Sequence, residues 1–427
     1  MDTGTKCFKV NNIIYAAGTG LVNTHRTAVT LTEPVQPQLL SDALRKAQSR
    51  YPYFSVRLRR QDETYVLTPN DQPFVLSPSW ATVTLGTPES NDHLFAFAYE
   101  GNRFCMDGSH YITDGNGLFP FLKTILYYYL TSLHPDAALD PSNFALAGDP
   151  VPEAEADDDP YPSQPLPAAP LGARKAPEQI FTLSDQPRGY ENMDRWTSWR
   201  FRIPQKDLMA YVSSVDGSPA TFISALVYRS IMDTHPENTL PLVCGMQHQF
   251  RKALGRPFSH LCHVNVVPID YPVRLRDRDI ERINTISRGA LIIRADDDND
   301  RQTVNAHIRT EKRIQSMPLP RKVDTMRSVV LDAIGKNTYE VSYTGRVPWS
   351  GLDRYITDVA PYLDLTLSGG ITVEIFSVGD AFSVNIMQRN DDPRYTTRFA
   401  ELLSQSGIHY TASSPESFRI CGFRLPD

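Results

Sequence analysis

In the stretch GNRFCMDGSHYITDGNGLFPFLKTILYYYL, residues 101–130, a histidine, an aspartate and a glycine stand at the spacing H-x-x-x-D-G: His110, Asp114 and Gly115. A neutral imidazole, with an ordinary pKa of ~6.5, can take a proton from an alcohol or amine as that atom attacks a carbonyl. Direct transfer of this kind needs no covalent intermediate on the protein. No G-x-S-x-G elbow occurs, and Cys105, upstream in the same strand-like run with no second base in view, reads as a small core residue. Asp114 could orient His110 directly, or pair with a distant arginine and lock the loop; the spacing allows both. The same letters also describe an ordinary turn, in which Asp bonds its own backbone and Gly supplies left-handed geometry.

The elements around the motif favour a chemical reading. HLFAFAYE and RFCMDGSH flank Gly101-Asn102, a two-residue connection suited to tight strand reversal, so His110 is expected at the end of the second arm of a hairpin. From Asn116 the apolar residues Leu118, Phe119, Leu122, Ile125, Leu126 and Tyr129 recur at helical spacing, with Pro120 expected in the first turn. A side chain at such a strand-to-helix switch is offered to a cleft from a rigid support. Upstream, Leu39, Leu40, Ala43, Leu44 and Ala47 mark an amphipathic helix stopped by Pro52, and YFSVRLRR and ETYVLTP read as a further hairpin.

At 427 residues the chain is long enough for two lobes, each with its own core. Residues 148–179, GDPVPEAEADDDPYPSQPLPAAPLGARKAPEQ, are rich in proline, alanine and acid and nearly empty of large apolar side chains. They read as an extended surface crossover between an N-terminal lobe, residues 1–147, and a C-terminal lobe, residues 180–427. The second lobe alternates again: strands at TSWRFRIP, LPLVCGMQHQFR and CHVNVVPIDY, a helix at ATFISALVYRSIMDTH, a hairpin about Gly379-Asp380 and a helix ended by Gly407. The fold class is α/β in the α+β sense, two lobes each of mixed sheet and helices.

Several function classes fall away. Charge is nearly balanced, 43 Lys plus Arg against 49 Asp plus Glu, with no basic block of the kind that neutralises phosphates, so nucleic acid is not an expected partner. Five scattered cysteines without C-x-x-C pairs fit a reducing, cytoplasmic setting. The N-terminus lacks the apolar run of a signal peptide and no window approaches a bilayer span, so a soluble protein is expected, and a monomer. ADDDND lacks the glycine and terminal glutamate of a calcium loop and reads as a solvated loop; in His248, His260, Cys262 and His263 the alternation of a strand turns Cys262 and His263 to opposite faces, so no metal is expected. No phosphate-binding glycine loop occurs; Arg321, Lys322 and Arg327 could offer positive charge to a donor's phosphates, but read first as an exposed solubilising face.

SHYITDG resembles the H-x-x-x-D-G motif of the chloramphenicol acetyltransferase-like superfamily, which includes alcohol acyltransferases, plant hydroxycinnamoyl transferases, polyketide-associated acyltransferases and the condensation domains of nonribosomal peptide synthesis. Supporting stretches follow in order: ALRKAQSRYPYFSVRL is similar to the family's helix and strand, VCGMQHQFR to its strand ending in arginine, CHVNVVPIDY to the condensation-domain F-V-N-T strand, and VSYTGRV to the S-N-x-G segment. The resemblance runs from about Leu39 to about Ile408. Ser109 stands where condensation domains carry their first histidine, and D-F-G-W-G of the plant enzymes is absent. The stand-alone alcohol acetyltransferase-like branch is the nearest.

The resemblance implies a two-lobed fold with an active-site tunnel between the lobes and His110 as general base within it. Asp114 would pair with an arginine, Arg251 in preference to Arg57, and Gly115 would permit the tight loop. Asn265 and Ser342 would lie at the tunnel wall. The implied activity moves an acyl group, acetyl foremost, from a CoA thioester to a hydroxyl or amine of a small molecule, with acyl-CoA as co-substrate and no bound cofactor. Transfer from an acyl carrier protein, and a catalytically silent binding module of the same fold, are the alternatives.

Overall fold

In a computed structural model of the chain, residues 8–19, 21–156, 159–169, 174–186 and 196–426 are described. The first part contains β1 (Phe8–Lys9), β2 (Thr24–Leu31), α1 (Pro37–Arg50), β3 (Val56–Gln61), β4 (Thr64–Pro69), β5 (Leu76–Ser77), β6 (Thr84–Leu85), β7 (Phe95–Glu100), β8 (Arg103–Ser109) and α2 (Gly115–Leu133). Helix α1 buries Leu40, Ala43, Leu44 and Ala47 on one stripe and ends just before Pro52, whose ring disfavours helical backbone in the preceding residue. The β7–β8 hairpin turns through Gly101 at φ +59°. Pro120 lies in the second turn of α2, not the first. It removes the bond to the carbonyl of Asn116, an exposed residue where water can take its place, and the helix runs on because Leu118, Phe121, Leu122 and Ile125 are buried on either side.

The second part contains β9 (Thr197–Pro204), α3 (Gln205–Ser214), α4 (Pro219–Thr234), β10 (Leu242–Gln249), β11 (Val264–Tyr271), α5 (Ile280–Arg294), α6 (Asp297–Gln315), α7 (Leu319–Ile334), β12 (Tyr339–Tyr343), β13 (Ile356–Leu363), β14 (Ile371–Val378), β15 (Ala381–Gln388), α8 (Arg394–Gln405), β16 (Thr411–Ala412), β17 (Glu416–Ser417) and β18 (Gly422–Phe423). A large mixed sheet in the order β11-β10-β12-β14-β15-β9-β16 carries one core on its helix-covered face, where Tyr339, Val341, Ile371, Val373 and Ile375 meet α4 and α8. Alternation turns Glu340, Ser342, Thr372, Glu374 and Phe376 to the other face, and Phe376 there joins the first lobe's core.

The first lobe's sheet has the order β13-β2-β8-β7-β5. Strand β13 comes from the far end of the chain and pairs antiparallel with β2, from Ile356 opposite Leu31 to Leu363 opposite His25. It covers what would otherwise be an open edge. Met326, Val330 and Ile334 of α7 also join the first core. A division of the chain at 148–179 therefore does not follow the cores: the second half supplies a strand and a helix to the first lobe.

Three expectations about surface segments are corrected. ADDDND is no solvated loop: Asp296 caps α6 by accepting from the Asn299 amide at 2.7 Å, and Asp300 is buried and paired with His248 at 3.0 Å. Lys322 is not on an exposed face; it is buried, donates to the Glu63 carbonyl at 2.7 Å and lies over the Tyr15 ring, docking α7 to the β3–β4 turn. The connector, described in part, is not only a surface strap. Its Tyr161 stacks on His307 in a small core with Phe250, and its Glu155 receives Arg50 at 2.8 Å.

Candidate active site

His110 follows the last residue of β8. Its amide donates to the Asn23 carbonyl at 2.9 Å, which ties it to the start of β2. Its Nδ1 lies 3.1 Å from the Thr113 carbonyl. A carbonyl only accepts, so Nδ1 carries the proton and Nε2 holds the free lone pair. Burial pushes the imidazole below its ordinary value, and the Asp114 charge and the Thr113 carbonyl offset this only in part. His110 is half-buried and, with its affinity for a proton lowered, neutral at physiological pH; Nε2 has no hydrogen-bond partner among the described residues.

Asp114 is the N-cap of α2. One carboxylate oxygen accepts from the Gly117 amide at 3.0 Å and from the Arg251 guanidinium at 2.7 Å; the other accepts from the His263 amide at 2.8 Å. Burial alone would raise this carboxyl, but Arg251 and the two amides hold it below the ordinary range. Arg251 is itself buried and also donates to the carbonyls of Ser259 and Leu261. The pair bridges the two halves of the chain and ties the start of α2 to the segment that follows β10.

The remaining expected residues divide. Arg57 stands on β3, bridged to His93, and is not among the partners of Asp114. Gly115 does not supply a left-handed turn. It is the first residue of α2, and a Cβ there would meet Thr344 at an ordinary 3.5 Å. The glycine without room is Gly117, where a Cβ would lie 2.1 Å from the His260 carbonyl. Ser342 lies on the lobe-facing side of β12 opposite Glu374, close to Thr344 and so to the start of α2. Asn265 lies opposite His248, on the alternation that carries Met246 and Val267 into the helix-covered core, and so on the face opposite Ser342.

The structure gathers further residues that spacing did not announce. The Thr113 hydroxyl donates to the His260 carbonyl at 2.7 Å, and His260 Nδ1 meets the Tyr53 hydroxyl at 2.6 Å; that hydroxyl also donates to Glu155 at 2.9 Å. Burial pushes His260 down to about 4 and His263 to about 3, with the Arg251 charge lowering both further, so both are neutral. On the lobe-facing sheet, Glu374 is pushed up to about 8 and Glu340 to about 7, in each case chiefly by burial. His25 lies against His110, with ring centroids 4.8 Å apart. Only the alternation of β12 and β14 around their apolar residues could have shown the glutamates as buried; His25 has no marker in the sequence. A cavity of about 930 Å³ between α1 and the connector and one of about 500 Å³ beside Arg26 and Trp80 have neither His110 nor Asp114 in their walls.

No family model matches the chain, and no curated protein matches it in sequence. Solved structures do. F. graminearum TRI101 complexed with coenzyme A and deoxynivalenol superposes with a TM-score of 0.63 at 12% identity, over 95% of this chain and 99% of that one. F. sporotrichioides TRI101 complexed with coenzyme A and T-2 gives 0.62 at 13%, with the same coverage. The first condensation domain of the CDA synthetase gives 0.56 at 11%, over 94% of this chain and 96% of that one. At these identities the likeness establishes architecture: the chain has the two-lobed chloramphenicol acetyltransferase-like fold shared by these proteins.

Proposed function

We propose that the protein transfers an acyl group, acetyl foremost, from a CoA thioester to a hydroxyl or amine of a small-molecule acceptor, with His110 as general base. The observation that carries this reading is the state of His110: neutral, with Nδ1–H committed to Thr113 and Nε2 free. Nε2 takes the proton from the acceptor as its oxygen or nitrogen attacks the thioester carbonyl; collapse of the tetrahedral adduct expels the CoA thiolate, which recovers that proton from the imidazolium. Asp114, Arg251 and the His263 amide hold the loop, and the placement where the lobes meet supports a tunnel in which donor and acceptor approach from opposite sides. Complexes of coenzyme A with proteins of this fold support CoA as the donor. Condensation domains of the same fold make a carrier-bound thioester the second reading.

The test is to incubate purified protein with acetyl-CoA and a panel of alcohols and amines and to follow free thiol. Acceptor-dependent release is expected. Silence with every acceptor, together with turnover of an acylated carrier protein, would overturn the CoA reading.

A further inference from the structure

Beside the His110 imidazole lies a second one, on the strand that also holds the His110 backbone. His25, on β2, is 4% exposed, and its ring is inclined 59° to that of His110. The start of β2 is itself pinned. Asn23, whose carbonyl receives the His110 amide, has φ 46° and donates its own amide to the buried Asp364 carboxylate at 2.8 Å. Across the sheet His25 faces Gly108, where a Cβ would come within 2.7 Å of His25 Nε2 and 2.6 Å of the Phe95 ring. The imidazole thus fills the space that glycine leaves. His25 Nε2 is buried and has no hydrogen-bond partner among the described residues, so at that atom the ring is held by shape.

We propose that His25 is a positioning residue for His110: its ring fixes the plane of the neighbouring imidazole and walls off the buried side from water. The role rests on the reading of His110 as general base. Two titratable groups stand beside His110: Asp114, from the start of α2, whose charge raises its affinity for a proton, and His25, from β2, whose ring lies against it; Phe95 of β7 adds an apolar wall beside His25. Burial keeps His25 neutral, and a charge on His110 would oppose one on His25. The low affinity of His110 for a proton is therefore a desolvation effect, and it depends on whatever occupies the place of His25.

The test is an NMR titration of the His110 imidazole C–H signal, identified by its loss in His110→Ala, in the wild type, His25→Ala and His25→Phe. His25→Val, whose short side chain leaves most of the ring's space open, replaces the alanine variant if that one does not fold. With the ring removed, water reaches the buried side, and His110 is expected to titrate at higher pH than in the wild type. With a flat hydrocarbon ring in place, it is expected to titrate as in the wild type. An unmoved titration in His25→Ala or His25→Val, or an equal displacement in His25→Phe, would overturn the proposal. The titration needs no substrate, so its outcome is separate from that of acyl transfer, which His110→Ala tests in the thiol-release assay.

Discussion

The Asp114 carboxylate meets the Arg251 guanidinium at 2.7 Å, and its remaining partners are the amides of Gly117 and His263; the imidazole of His110 is held instead by the Thr113 carbonyl. The motif thus divides its work. Asp114 ties the start of α2 to the loop after β10, and the imidazole of His110 stands outside that pairing.

That division predicts different losses at the two positions. Asp114→Asn leaves Arg251 buried without its counter-charge and should cost about 3–5 kcal/mol as well as rate. Arg251→Met should cost a similar amount. The double variant should lose less than the sum by about 1–3 kcal/mol in urea unfolding, since removing both charges spares the penalty of one left alone. Strict additivity would show that the pair is not coupled.

Gly117→Ala should destabilise by about 1–3 kcal/mol, because its Cβ has no room against the His260 carbonyl 2.1 Å away. Gly115→Ala, with ordinary contacts and helical backbone, should change thermal unfolding little. The reverse order would mean that the second glycine of the loop had been mistaken for the one under constraint.

The rate should depend on pH through His110. A base must be neutral to act, and burial lowers its affinity for a proton, so activity should persist to lower pH than an exposed imidazole of pKa ~6.5 allows. The acid limb of kcat/KM against pH reads this directly. A limb at or above the ordinary histidine value would contradict the buried, neutral base.

Stability should carry the opposite signature of Glu374. Its unfolded value is about 4.3, and burial raises the folded one to about 8, so between these values the folded chain keeps a proton that the unfolded chain has released. Its contribution is fully present below about pH 4.3 and is lost as pH rises through 8. Glu374→Gln should remove that loss and gain a few kcal/mol, to order of magnitude, over the wild type near pH 8. Denaturant unfolding of both proteins from pH 5 to 8 checks it; parallel curves would contradict it.

Local rules made much of this legible in the sequence. The stripe Leu40, Ala43, Leu44, Ala47 marked α1, the Gly101 turn marked the β7–β8 hairpin, and together they put His110 at a strand end. Arg251 could be named as the partner of Asp114 from a resemblance between motifs; nothing in the intervening chain encodes a contact that forms only when the lobes close. The same holds for β13, a strand not singled out from the sequence: nothing in ITDVAPYL says that its neighbour is β2. ADDDND misled because consecutive acids look solvated, although at a helix start they satisfy free amides and complement the dipole. His25 was illegible for the same reason as Arg251: its meaning lies in a neighbour across the sheet.

The central claim is that His110 is the base for acyl transfer, and the most direct measurement is turnover of wild type and His110→Ala with acetyl-CoA and an acceptor that releases thiol, alongside their melting temperatures. Turnover should fall by about 10²–10⁴-fold with thermal stability nearly unchanged. A His110→Ala protein that keeps full acceptor-dependent turnover would contradict the account.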